Sequence, residues 1–567
     1  MSGKIAWRNE QDANAYYRAI MMVPSLLLVA PLLFALQAAA RRARSPTPPM
    51  GWNSYNTWNC LPTEEKIHQS ARGLVDLGFA DVGYSFVTVD CGWNTHERDA
   101  EGRLQWNETL FPSGGKALGD FLHGLGLEFG LYSGAGYLQC GDESLPASLG
   151  FEQLDAQTFA EWGGDSLKYD NCYSTSNTTM VDSSSAEAQS PARFQDMADG
   201  LDAVDRDIQY FVCQWGIGTD VGEWAAGVGN TWRISNDIYR AWRSIWRITN
   251  QIVPYFRHTT VGAFADMDML IVGLHALSEE EERFHFGMWA INKSPLIMGA
   301  ALDPQRLSKS SIDIMTNKEV IAINQDPLAK QAKLMQRDTE GEWDIWAGEL
   351  SGAKQVVGIA NWRNDSQSVQ VDMKALGIAS AHARDVWAAK DLGTVSGTQN
   401  VTLAGHELRL WVLSNITSTA PLPDTPYHAA AAASLSGQAT AITCSPGTCL
   451  PAGSKVGYIT RGAGVTFHNI SSTTTGKKRL SIDLINYEYA FSTSWGWGDN
   501  TRNMTVAVNG GKAKRWAVPL SGGDWEESLS LGIEVDGFEK GDANSVEVRG
   551  YGDGFAPDVV GLRVLEY

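Results

Sequence analysis

The run SLKYDNCY, residues 166–173, sets Lys168, Asp170 and Cys172 on alternate positions. In a strand such positions share a face, and a charged face turned inward must be paired or neutralised. A second charged pair stands in TWRISND, where Asp237 follows Arg233 by four residues. If that stretch leaves its strand in a turn, both side chains project into one pocket. Two carboxylates flanking an aromatic-lined pocket suit acetal hydrolysis: one attacks or stabilises the anomeric carbon and the other protonates the leaving oxygen. Lys168 is expected to keep Asp170 ionised, as a nucleophile requires. Other readings stay open at this point. A strand-end aspartate often serves only as a turn or cap residue, Lys168 with Asp170 can be a structural ion pair, and Asp266 and Asp268 in FADMDML can cap a loop.

The elements that must position these residues read as short β-branched or aromatic runs alternating with amphipathic stretches. The expected strands are MGWNSY, YSFVTVD, LEFGLYS, SLKYD, IQYFVCQW, TWRISND, DMLIVG and SPLIMG. Between them TEEKIHQSARGLVDLG carries Ile67, Ala71, Leu74 and Leu77 at helical spacing. SEEEERFHFGMWAI opens with Ser278 and Glu281 in capping-box positions, which makes its acidic run a helix start rather than a metal site. Eight strands alternating with helices imply an α/β fold, a (β/α)8 TIM barrel over residues 45–327. At its C-terminal strand ends stand Trp52, Asp90, Trp93, Tyr132, Lys168, Asp170, Cys213, Trp215, Arg233, Asp237, Asp266 and Asp268. No Ser-His-Asp grouping or Gly-rich phosphate loop joins them, and each tryptophan taken alone fits a core as well as a platform. Residues 328–418 read as an antiparallel β domain, 419–427 as a Pro/Thr-rich linker and 428–567 as a second β-sandwich.

Size and composition agree. A chain of 567 residues exceeds one hydrophobic core, and a formal net charge of -20 disfavours nucleic acid or an anionic membrane as partner. The 21 tryptophans lend weight to sugar binding. Residues 1–40 contain an apolar segment from about Met21 to Leu36 followed by alanines, which reads as a signal segment and predicts a secreted, extracellular protein with no membrane attachment after its removal. There are seven cysteines, an odd count; an exported protein pairs most of them. Cys444 and Cys449 in CSPGTC are expected to close a local loop. Nothing has zinc-ligand spacing, so no metal is expected. Sequons at Asn107, Asn177, Asn364, Asn400, Asn415, Asn469 and Asn503 suit a glycosylated export product.

PPMGWNSYNTW, GLYSGAG, LKYDNCY, VCQWG, WRISNDI, DMDMLIVG and SPLIMGAAL occur in that order. Together they resemble the retaining α-galactosidases of glycoside hydrolase family 27, in the form fungi secrete, over about Pro48–Thr417. The resemblance implies hydrolysis of terminal α-D-galactosyl residues without a cofactor. It makes Asp170 the nucleophile and Asp237 the acid/base. Lys168 would hold the 3- and 4-hydroxyls, Asp90 the 4- and 6-hydroxyl region and Arg233 the 2-hydroxyl side. Trp52 and Tyr132 would line the sugar, with Asp268 also in the binding set. It pairs Cys140 with Cys172 and leaves Cys213 a free thiol beside Trp215, where an indole leaves little room for an N-acetyl group. The carboxyl separation expected of a retaining enzyme is about 5–5.5 Å.

One departure concerns specificity. Much of the family reads Asp-Asp-Cys-Trp after the second strand, whereas this chain reads Asp90-Cys91-Gly92-Trp93. Cys91 can still pair with Cys60, but the second hydroxyl-binding carboxylate is gone. The alternatives are therefore a β-L-arabinopyranosidase or an α-N-acetylgalactosaminidase on the same scaffold, and, from another class, a non-catalytic galactoside-binding protein. The C-terminal module resembles galactose-binding-like carbohydrate-binding modules of the family 35 type. That implies a polysaccharide partner, with Trp495, Trp497 and Trp525 as candidate platforms.

Overall fold

The computed structural model describes residues 45–182, 184–217, 221–420, 425–488 and 499–565. The signal-like segment and the two tryptophans Trp495 and Trp497 lie outside them. Eight parallel strands form the central sheet: β1 Met50–Asn53, β2 Phe86–Thr88, β3 Glu128–Gly134, β4 Ser166–Asp170, β5 Gln209–Cys213, β6 Thr231–Arg233, β7 Phe264–Asp266 and β8 Leu296–Met298. Their order is β8-β1-β2-β3-β4-β5-β6-β7. The open edge between β7 and β8 is closed just past β7, where Leu270 N–H donates to the Ile297 carbonyl at 2.7 Å. The result is a TIM barrel, with helices on its outside.

Seven strands lie where alternation predicts them, and the seventh does not. The apolar run Leu270-Ile271-Val272 reads as a strand, yet β7 is the shorter Phe264–Asp266. Beyond Leu270, which still bonds to the Ile297 carbonyl, two backbone N–H groups are taken by side chains instead. Ile271 N–H donates to His285 Nε2 at 2.9 Å and Gly273 N–H to Glu282 Oε1 at 2.8 Å. Both acceptors sit on the helix Glu279–Ile291, so a buried loop with satisfied polar groups replaces a ladder. Burial lowers the His285 pKa to about 3, which keeps the imidazole neutral and able to accept that bond.

The helix Glu64–Asp76 is capped by the Thr63 hydroxyl, which accepts from Lys66 N–H, and it buries Ile67, Ala71 and Leu74 against the barrel. The helix Glu279–Ile291 starts in a complete Ser278/Glu281 capping box, which satisfies two otherwise orphaned N–H groups.

The following domain pairs six antiparallel strands between Lys333 and Ser418, with a two-stranded sheet of Gln367–Asp372 and Thr398–Leu403 beside them. From His428 onward, a five-stranded sheet and a six-stranded sheet form a second sandwich. This module is docked rather than merely tethered. Arg257 of the barrel meets Glu527 at 2.8 Å, and Lys514 meets Asp338 of the middle domain at 2.6 Å. Arg337 joins all three parts. It is bidentate to Asp344 at 2.8 and 2.7 Å, and its Nη1 donates to Asn250 Oδ1 of the barrel at 2.7 Å and to the Ala517 carbonyl of the module at 3.2 Å.

Candidate active site

Strand alternation turns Lys168 and Asp170 of β4 into the barrel mouth, while Tyr169 between them is buried against Phe194 and Tyr210 outside the sheet. Cys172 lies past the strand end and is bonded to Cys140. β6 stops at Arg233, so Asp237 hangs on the loop that follows. Asp90, Tyr132, Lys168, Asp170, Arg233, Asp237 and Asp268 line one cavity there. Cys213 lines an adjoining cavity that shares Lys168, Arg233 and Asp268 with the first. A larger depression of about 980 Å³ along helix Glu64–Asp76 contains none of these residues.

Lys168 is held nearer to Asp90 than to its strand neighbour. Its Nζ donates to Asp90 Oδ2 at 2.8 Å and stands 3.9 Å from Asp170 Oδ2. Asn53 also donates to Asp90 Oδ2 at 2.7 Å. Lys168 opposes protonation of Asp170, as expected, but it does not act alone. Burial raises the Asp170 pKa, opposed by Lys168, with Asp237 and Asp90 pushing it up further. Three donors favour the carboxylate: Trp215 Nε1–H at 2.9 Å, Asn171 N–H at 3.1 Å and Tyr132 O–H at 3.2 Å. Asp170 is thus gripped on both oxygens while still facing the cavity.

Asp237 differs in kind. Its side chain is 41% exposed against 8% for Asp170, and its Oδ1 accepts from Arg233 Nη2 at 3.0 Å. Arg233 also meets Asp268 at 2.8 Å and stands 3.6 Å from Cys213 Sγ. Asp268 adopts φ 79°, a left-handed conformation uncommon outside glycine. Its Oδ2 also accepts from Ile238 N–H at 2.7 Å and its Oδ1 from Met269 N–H at 2.6 Å. It therefore holds Arg233 and the turn bearing Asp237. Asp266 lies in the adjoining cavity. Burial raises its pKa to about 6, with Arg233 acting the other way. Burial is the main cause of the upward shifts at Asp170, Asp266 and Asp268, and neighbouring carboxylates add to it. Burial likewise pushes the Cys213 thiol up, which leaves it un-ionised and unreactive.

Trp52 is a correction. It is fully buried and donates its indole N–H to the Ala300 carbonyl at 2.7 Å, away from the cavity. Tyr55, three residues on, lines the cavity in its place. β1 ends at Asn53, and Tyr55 opens the one-turn helix Tyr55–Trp58, so a residue beyond the strand reaches the mouth. Burial and the charge of Asp237 raise the Tyr55 phenol to about 12, so it enters as a neutral hydroxyl. Trp93 is also core, its ring tilted against Trp106 at 4.5 Å and its N–H on the Tyr132 carbonyl. The sequence signal for Tyr55 is its place at the C-terminal end of an expected strand, the zone where barrel sites are built.

Disulfides join Cys60 to Cys91, Cys140 to Cys172 and Cys444 to Cys449, and Cys213 is free and buried. Cys91 and Cys140 both border the cavity. Gly92 turns the chain at φ 90°, where a Cβ would stand 2.1 Å from the Cys60 carbonyl oxygen; only glycine fits there. Trp525 of the module carries the Arg502 guanidinium 4.4 Å over its ring and packs beside Cys449, Ile485 and Val560. Among the described residues no group of three His, Cys, Asp or Glu could hold a metal ion, and no helix is long and apolar enough to cross a membrane.

Two family profiles match the chain: Alpha galactosidase A over residues 47–326 and Alpha galactosidase C-terminal beta sandwich domain over 340–413. The chain is 38% identical to the probable alpha-galactosidase D of Aspergillus fumigatus, over 96% of this chain and 100% of that protein. With alpha-galactosidase D of Emericella nidulans it shares 37% identity over 92% and 95%. Alpha-galactosidase I from Mortierella vinacea superposes with a TM-score of 0.62 at 32% identity, covering 66% of this chain and 99% of that one. The Saccharomyces cerevisiae α-galactosidase solved with raffinose gives 0.60 at 28%, covering 65% and 98%.

Proposed function

The chain belongs to the α-galactosidases of glycoside hydrolase family 27, and from that premise we propose that it is a retaining enzyme with Asp170 as nucleophile and Asp237 as acid/base. The observation that carries the division of roles is the contrast between two carboxyls in one cavity. Asp170 is buried and fixed by three donors, as a group that must meet one carbon atom should be. Asp237 is half-exposed on the rim, as a group that exchanges protons with water and faces the leaving oxygen should be.

Asp170 attacks the anomeric carbon while the bond to the leaving oxygen breaks and that oxygen takes the proton of Asp237. Asp237, now a carboxylate, removes a proton from water, whose oxygen forms the new bond to that carbon and releases Asp170. Lys168, with Asp90 fixing one of its three N–H donors, offers the others to ring hydroxyls. Tyr55 and Tyr132 supply the aromatic walls. The test is the anomer first seen by proton NMR, together with intact mass after a slow-releasing 2-fluoro galactoside. The α-anomer and an adduct on Asp170 are expected; β-galactose as first product would overturn the mechanism.

One observation favours a second specificity. Cys91 stands at the cavity edge in a disulfide and offers no carboxylate to a hydroxymethyl group. Rates on aryl α-galactoside and aryl β-L-arabinopyranoside compare the two directly, and the α-galactoside is expected to dominate. Trp215, whose indole N–H reaches Asp170 Oδ1 at 2.9 Å, argues against an N-acetyl group beside it. The disulfides and sequons suit an exported glycoprotein, and we take its substrates to include galactosyl-bearing polysaccharide met with the help of the C-terminal module.

A further inference from the structure

Barrel, middle domain and C-terminal module meet around a cavity of about 340 Å³, within the roughly 300–1,000 Å³ typical of small-molecule sites. Trp242 and Trp246 reach it from one face of the helix Trp242–Ile252. Trp343 and Trp362 come from the middle domain, and Asn503 and Arg515 from the module. None of these tryptophans belongs to the catalytic cavity.

The lining has the chemistry of a saccharide site. Indole faces suit the C–H faces of sugar rings, and hydroxyls need separate donors and acceptors. The indole N–H groups of Trp242, Trp246 and Trp343 have no partner among the described residues and are not sealed from solvent. Trp362 instead donates to Asp344 at 2.9 Å, which fixes its ring. The arginines are largely neutralised in place: Arg337 by Asp344, and Arg243 by Asp499 at 3.3 Å. Arg515, the third arginine of the lining, meets Asn503 Oδ1 at 3.4 Å. With Asp338 and Glu342 also on the wall, four carboxylates face three guanidinium groups, so no net positive field selects an anion and a neutral ligand fits.

Position supplies the link to catalysis. Trp242 follows Asp237 by five residues, so their Cα atoms are at most roughly 18 Å apart. We propose that this junction is a second, non-catalytic saccharide site, one that takes the neutral glycan chain carrying the galactose. The proposal rests on the galactosidase function above and adds where the rest of a polymeric substrate is held.

Asn503 heads an Asn-Met-Thr sequon, and a glycan there would compete for the cavity, so the test uses enzymatically deglycosylated full chain. Wild type, Trp343→Ala and Trp343→Phe are compared on an aryl α-galactoside and on galactomannan. The expected result is a rise of about tenfold in the galactomannan KM for Trp343→Ala, partial recovery in Trp343→Phe, and aryl-galactoside kinetics within twofold throughout. Unchanged galactomannan KM overturns the site, as does an equal loss on both substrates. A fluorescence titration of the wild type with mannotetraose keeps the question open to decision should Trp343→Ala not fold; saturable quenching supports the site and its absence overturns it. A wild type inactive on the aryl galactoside would count against the underlying function instead.

Discussion

Arg233 and Arg337 are both buried guanidinium groups beside aspartates, yet they are used in opposite ways. Arg337 is saturated: Nε, Nη1 and Nη2 all donate to well-placed oxygens in three parts of the chain. Arg233 is not. Its Nε is buried without a partner and its Nη1 has only a sulfur at 3.6 Å. Arg247 and Arg479 also bury an unpartnered Nε, so it is the place of Arg233 on the cavity wall that turns its unmet hydrogen-bonding capacity towards a ligand. Saturation builds structure; reserve capacity serves a ligand.

The comparison can be broken or sharpened by mutation. The largest effect belongs to Asp170→Asn, which should lower kcat by about 10⁴-fold or more with a thermal midpoint close to that of the wild type. A residual rate above 1% of wild type would remove Asp170 from its role. Next comes Arg337→Met, which strands Asp344 in the interior and should cost about 3–5 kcal/mol. Calorimetry should register that as a midpoint about 4 °C lower, with kcat of the folded fraction retained; a loss of kcat at unchanged midpoint would reverse the contrast. Arg233→Lys should do the opposite, with kcat/KM down about 10²-fold and a midpoint shift of about 3 °C or less.

The smallest effect is in pH. A carboxyl such as Asp266, whose folded pKa of about 6 exceeds its ordinary value, binds its proton more tightly in the folded state. Its contribution to stability is complete below the ordinary carboxylate range and is lost as pH rises through about 6. Asp266→Asn should flatten the midpoint-versus-pH curve over that window by about 3 °C. An unchanged slope would mean that Asp266 titrates normally.

What the sequence disclosed follows the same division. Charges at strand ends are conspicuous because a barrel interior otherwise excludes them, and so Asp90, Lys168, Asp170, Arg233 and Asp237 stand out before any coordinates. Tyr55 did not, because an aromatic residue after Gly-Trp-Asn-Ser reads as well as a core side chain, and Trp52 reads as the pocket residue. The seventh strand was misplaced because Leu270-Ile271-Val272 has strand composition, while the side chains that satisfy its backbone, His285 and Glu282, lie on a later helix. The three-part junction has no local signature at all. Arg337 and Ala517 are 180 residues apart, and neither position is unusual in its own neighbourhood.

The connectivity of the barrel disulfides bears on how the molecule is manufactured. Each bridge joins loops of neighbouring strands, and both are complete by Cys172. Cys213 lies about 40 residues further on, roughly 2–8 s later at ordinary rates of synthesis. A chain delivered N-terminus first therefore offers its four bridging cysteines to one another before the odd thiol exists to compete in exchange. One wall of the pocket is chemically committed before Asp237 has been made, and the order of the gene does part of the work of an isomerase.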